Sequence, residues 1–192
     1  MNENTKDMVT EHQINDYVIY RKNGICKIVD IRTENFGDMG PNLYYVMQTV
    51  YDENSIIYVP VTSKDLEQNM RRLLTVEEIH DIIDEFVESD KCWIDDSKTR
   101  VASFTKTLNQ GDRAEILWIV KALTTHKSDL ETQKKKLSVS DTKILTAAQK
   151  LINEEFSFVL GIPQEEVISY IKKRIDKILK GDTPQYVERD RA

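Results

Sequence analysis

Thr75-Val76-Glu77-Glu78-Ile79-His80-Asp81-Ile82-Ile83-Asp84-Glu85-Phe86 is where this chain changes its period. Thr75 with Glu78 three residues on has the form of a capping box, in which side chain and backbone satisfy each other at a helix start. Ile79, Ile82, Ile83 and Phe86 then recur on one helical face. Before this stretch the pattern is extended. Asp16-Tyr17-Val18-Ile19-Tyr20, residues 24–31, 43–50 and 55–61 are rich in β-branched and aromatic side chains and have strand length. In the second run Ile25, Lys27, Val29 and Ile31 alternate against Cys26, Ile28 and Asp30. Lys22-Asn23-Gly24, residues 35–42 and Tyr51-Asp52-Glu53-Asn54 supply the turns. Short strands joined by such turns predict a small barrel or a strongly bent sheet.

After residue 75 everything reads as helix. Residues 97–108 place Val101, Phe104 and Leu108 at helical spacing, and Gly111 ends that helix. Asp112-Arg113-Ala114-Glu115 opens the next, whose core face is Ile116, Leu117, Ile119, Val120 and Leu123. Ser138-Val139-Ser140-Asp141 opens a fourth, carrying Ile144, Leu145, Ala148, Leu151, Ile152 and Phe156 up to Gly161. Pro163 stands at the start of a fifth, with Val167, Ile168, Ile171, Ile175 and Ile178 ending at Gly181. The fold expected is α+β in two domains: a β domain over residues 1–74 and an all-α domain of about five helices over residues 75–192, with the last ten residues flexible.

The 192 residues are 40% hydrophobic and 31% charged, a balance typical of globular chains with compact cores. No apolar run approaches the roughly 20 residues that span a bilayer. Residues 1–11 lack the basic and apolar segments of a signal peptide, so export is not expected. Cys26 and Cys92 fall in different halves, which argues against a disulfide and fits a cytoplasmic protein. The net charge is −6. Dedicated DNA binders draw affinity from a basic surplus, so this composition disfavours tight autonomous DNA binding. It is compatible with DNA contact made while docked on a larger assembly.

Catalytic patterns are thin. His12, His80 and His126 have no metal-ligand spacing and read as surface or capping residues. There is no phosphate loop, dinucleotide glycine pattern or nucleophile elbow. No enzyme, metal, cofactor, membrane or small-molecule substrate is therefore expected. Lys134-Lys135-Lys136, followed by Lys143 and Lys150 seven apart, forms either a phosphate-facing strip or a solvated outer face, and Lys172-Lys173-Arg174 carries the same ambiguity. Trp93 stands in the polar stretch Ser89-Asp90-Lys91-Cys92-Trp93-Ile94-Asp95-Asp96. It is either a plug between helices or a wedge that stacks on a base or enters a groove. Trp118 is expected to pack between helices.

Tyr17-Val18-Ile19-Tyr20, Asn23-Gly24-Ile25-Cys26-Lys27-Ile28, Leu43-Tyr44-Tyr45-Val46-Met47 and Tyr58-Val59-Pro60-Val61 resemble the start of the CarD family, and the polymerase-interacting module of transcription-repair coupling factors. Trp93, Arg100, Phe104, Leu108, Gly111-Asp112, residues 116–123, Lys136-Leu137-Ser138 and residues 147–156 resemble the family's helical half. The resemblance covers roughly residues 12–158, carried by the order and spacing of these motifs. It implies a Tudor/SH3-like β barrel that binds the β subunit of bacterial RNA polymerase, and a helical domain beside promoter DNA at the upstream edge of the transcription bubble. The implied polymerase contacts are Arg32, Tyr58, Val59 and Pro60, with tyrosine standing where the family is often basic. The DNA contact implied by the resemblance is Trp93, and the basic residues expected to share it are Lys98, Arg100, Lys143 and Lys150. Asp95 and Asp96 depart from the basic residues that often follow the family tryptophan, and two carboxylates there repel a phosphate backbone. The function implied is a transcription regulator that modulates open-complex stability, associated with the nucleoid through polymerase. The alternative is a polymerase-binding adaptor that does not touch DNA.

Overall fold

The computed structural model describes residues 10–37, 40–52, 55–87 and 91–181. The expected flexibility of the last ten residues lies outside that range. The chain divides into two compact units, one ending at Leu73 and one beginning at Leu74.

The first unit is an antiparallel sheet of β1 (Tyr17–Tyr20), β2 (Ile25–Asn35), β3 (Pro41–Thr49), β4 (Ile56–Pro60) and β5 (Met70–Arg72), with a one-turn helix α1 (Leu66–Asn69) before β5. The strand order is β4-β3-β2-β1-β5. The expectation of a Tudor/SH3-like barrel is overturned by this order. Closure requires the two edge strands to meet with a fixed stagger. Among the described residues β4 pairs with β3 and β5 pairs with β1, and no ladder joins β4 to β5. β5 and α1 are also elements that the strand pattern did not anticipate, because a three-residue strand carries too little periodicity to be read.

The turn between β1 and β2 is closed by Gly24, whose φ of 74° with ψ of −144° is accessible essentially to glycine alone. In β2 the simple alternation fails. A bulge between Ile28 and Asp30 shifts the register against β3, leaves Val29 exposed, and packs Ile31 against the same cluster as Cys26 and Ile28. Tyr45, Met47, Val18 and Val59 complete that core. Burial pushes the Cys26 thiol up to about 11. Cys26 is therefore a packing thiol, and it forms no disulfide with Cys92.

The second unit contains α2 (Val76–Val87), α3 (Ser97–Gln110), α4 (Arg113–Thr132), α5 (Val139–Leu160) and α6 (Val167–Leu179). The helix starts follow from side-chain chemistry. Thr75 Oγ1 accepts from the Glu78 amide at 3.2 Å while Glu78 Oε2 accepts from the Thr75 amide at 2.8 Å, the reciprocal capping box read from the sequence. Asp96, Asp112 and Ser138 each accept from the amide three residues on, capping α3, α4 and α5. Ile79, Ile83, Phe104, Ile116, Leu123, Ile152, Phe156 and Val167 form one core. Trp118 packs against it, edge-on to Phe104 with centroids 5.6 Å apart. α6 belongs to this core through Val167 and Ile171. It is also clasped to α2, where Arg174 donates twice to Asp84 at 2.6 Å and His80 Nε2 lies 2.6 Å from the Tyr170 hydroxyl. No helix among the described residues is long and apolar enough to cross a membrane.

Candidate protein and nucleic-acid interfaces

The polymerase-facing residues implied by resemblance come from two strands that are not sequence neighbours. Arg32 lies on β2 and Tyr58 on β4, with β3 between them. The Arg32 Nη2 donates to the Tyr58 hydroxyl at 3.1 Å, and its guanidinium carbon sits 5.8 Å from the Tyr58 ring centroid. Its Nε donates to Glu34 at 2.7 Å and its Nη1 to Asp30 at 3.1 Å. These bonds, that to Glu34 foremost, raise the Arg32 pKa, so the group is permanently charged. Phe36 stands edge-on to both Tyr44 and Tyr58, at 5.2 and 5.1 Å. Phe36 and Tyr58 are 45% and 38% exposed, which makes this an aromatic patch with a fixed guanidinium on the outer sheet face. Val59 points the other way, 3% exposed in the core, and Pro60 is half-buried. A proline with no amide to donate suits an edge strand. Phe36, Asp30 and Glu34 were not singled out from the sequence. Only the β2–β3–β4 register brings them to Arg32.

The second site gathers residues from a loop and three helices. Trp93 is half-buried in residues 91–96, a segment without regular structure. Arg100, on the first turn of α3, is 5% exposed. Its Nε and Nη2 donate to the two Asp141 carboxylate oxygens at 3.1 and 2.8 Å, and its Nη1 donates to the Ile94 and Asp95 carbonyls at 2.8 and 3.1 Å. Ser138 Oγ donates to Asp141 Oδ2 at 2.8 Å and accepts from its amide at 3.0 Å. The Arg100 guanidinium, and after it the Ser138 hydroxyl, hold the Asp141 carboxyl below its ordinary value. The Trp93 ring centroid is 4.5 Å from the Arg100 guanidinium carbon and 4.4 Å from the centroid of His126 on α4. Lys91 pairs with Glu115, fixing the start of the loop to α4.

Arg100, read as a DNA contact, is thus turned inward in this structure and holds the Trp93 loop to α5. Lys98 and Lys143 are exposed. Lys150 is exposed and lies 3.7 Å from Glu154, whose carboxyl burial pushes upward in pKa. Asp96, counted as an acidic departure, is the α3 cap. Hydrogen bonds from the Thr99 hydroxyl and amide lower its pKa. Lys127, Lys135 and Lys136 line a groove of about 410 Å³ beside α4 and α5 that also contains Glu131. Arg174 of the Lys172-Lys173-Arg174 run is tied to Asp84. His126 and Asp141 went unnoticed as site residues. One read as a surface histidine and the other as part of a helix start, and 41 residues separate Asp141 from Arg100. Among the described residues no group of three or more His, Cys, Asp or Glu side chains could hold a metal ion.

Comparison with known proteins gives two matches. The model of the CarD-like/TRCF RID domain matches residues 12–74, and that of the CarD, C-terminal domain matches residues 82–172. The second match runs past Gly161 into α6. No curated protein matches the chain.

Proposed function

The chain belongs to the CarD family, and from that premise we propose that its sheet unit docks on the β subunit of bacterial RNA polymerase while its helical unit holds promoter DNA at the upstream edge of the transcription bubble. The two domains are those of a transcription-related, polymerase-interacting adaptor that is not catalytic.

The observation that carries the docking half is the Arg32–Tyr58–Phe36 patch within the first matched domain. An exposed guanidinium on the Tyr58 ring, with Phe36 edge-on to that ring, has the composition of an interface hot spot, where apolar area and a fixed charge act together. The open sheet adds to it. The outer edge of β4 has no partner strand among the described residues, so a strand edge lies beside the patch.

The DNA half is supported by Trp93. Its indole is half-buried, packed on one side against the helical core, with the Arg100 guanidinium and the His126 ring beside it. A ring of this kind stacks on an unpaired base or edges into a groove where the duplex is already distorted. The net charge of −6 leaves this contact weak in isolation. Docking supplies what charge does not, because a tethered domain meets nearby DNA at high effective concentration. A contact made better in the open complex than in the closed one shifts the population toward open.

The test is open-complex lifetime with the full chain and its Trp93→Ala variant. Stacking on a base contributes roughly 1–3 kcal/mol, so the variant shortens the lifetime about five- to hundredfold while polymerase capture stays intact. The second reading, an adaptor that does not touch DNA, is favoured by the burial of Arg100 and by the Asp95 and Asp96 carboxylates. An unchanged lifetime with a folded variant would select it.

A further inference from the structure

We infer that His126 is a positioning residue for the Trp93 indole: its imidazole fixes the ring in the orientation presented to nucleic acid. The inference rests on the proposed role of Trp93 and extends it to a residue on another helix. Residues 91–96 have no helical or strand backbone to set the tryptophan rotamer. Tertiary neighbours must set it. Besides the helical core that the ring packs against, one is Arg100, which also anchors the loop backbone and is committed to Asp141. The other is His126, with ring centroids 4.4 Å apart and planes tilted by 33°. That geometry places the imidazole close to the indole without a parallel stack.

The two neighbours do different work. The Arg100 side chain is 6% exposed and part of the interior, so it holds loop and helix together at once. His126 is half-buried and lies on α4 just beyond its last buried residue, Leu123. Its contact with the loop is the ring contact. An indole already immobilised loses less side-chain freedom on binding, and each immobilised side chain of this kind changes affinity by about two- to tenfold.

The experiment uses the full chain in a Trp118→Phe background, so that Trp93 is the sole tryptophan. Emission anisotropy of Trp93 and open-complex lifetime on a bacterial polymerase holoenzyme are measured for His126, His126→Ala and His126→Phe, with Trp93→Ala alongside. The expected result is a freer indole and a two- to tenfold shorter lifetime in His126→Ala, with both restored by His126→Phe, which keeps a ring. Unchanged anisotropy in His126→Ala overturns the inference. So does a freed indole with an unchanged lifetime when Trp93→Ala shortens it. If Trp93→Ala itself leaves the lifetime unchanged, the DNA-contact reading has failed and takes this inference with it.

Discussion

Arg32 in the sheet unit and Arg100 in the helical unit were both expected to reach out to a partner, and their surroundings are opposite. The Arg32 side chain is 47% exposed, balanced by Asp30 and Glu34 at 37% and 31%, on an open sheet face. The Arg100 side chain is 6% exposed against an Asp141 at 2%, inside a helical core. Arg113 and Glu155 repeat the second arrangement, at 4% and 1% with Nε and Oε2 2.6 Å apart. A solvated ion pair contributes little to folding, because water and salt screen it. It leaves the cation free to meet another partner. A buried pair is costly to break, since the remaining charge is stranded in a low-dielectric interior. In the proposed reading the same residue type serves recognition in one unit, while in the other it serves cohesion, and burial separates the two.

The largest effect expected is on the buried side. Arg100→Ala strands Asp141 and releases the Ile94 and Asp95 carbonyls, at a cost of about 3–5 kcal/mol in chemical unfolding of the full chain. A variant as stable as the parent would remove the distinction between the two arginines.

Acid should expose the same difference more gently. The folded-state pKa of Asp141 is lowered, chiefly by Arg100. Its contribution to stability is complete above the ordinary value of 3.8 and is lost as pH falls from there through the folded value. Thermal midpoints of the parent and Asp141→Asn should therefore differ most near neutrality and converge below about pH 3.8. A gap that stays constant down to about pH 2.5 would contradict this. Glu154 works in the opposite sense. Its raised pKa means that burial of its charge opposes folding at neutral pH, and the penalty fades as the group protonates.

On the exposed side, Arg32→Glu should leave the unfolding midpoint unchanged and weaken polymerase capture by at least about tenfold, because the sign of a fixed interface charge is reversed. Equal capture with an intact fold would show that the aromatic patch does not face polymerase.

The smallest effect concerns Asp95 and Asp96. Replacing both with serine keeps a capping side chain at the start of α3, so the fold persists. Removing the two charges should strengthen DNA contact by less than about threefold, visibly only at low salt. A gain undiminished by salt would point away from electrostatic repulsion as the cause.

Much of the fold was legible because it rests on local chemistry. The capping box at Thr75, the acidic cap at Asp112 and the stop at Gly111 are interactions among residues three or four apart, so spacing alone reveals them. The same is true of strand periodicity in β1 and β3 and of the apolar faces of the helices. The sheet's openness was not legible. Whether edge strands meet depends on twist, stagger and the length of β5, none of which a run of alternating residues encodes. The bulge at Val29 escaped for a related reason, because it is defined by what β3 pairs with.

For the sites, the sequence by itself determined which residues were available: an exposed-type arginine after a strand, a tryptophan in a polar loop, a scatter of lysines and a histidine without a motif. Tertiary structure decided what each of them faces. It turned Arg100 inward onto Asp141, set Arg32 against Tyr58 across an intervening strand, made Asp96 a cap, and brought His126 to the Trp93 ring. The physical reason is that the strength of a charge or a ring contact depends on solvent exposure and on partners distant in the chain, and both are properties of packing.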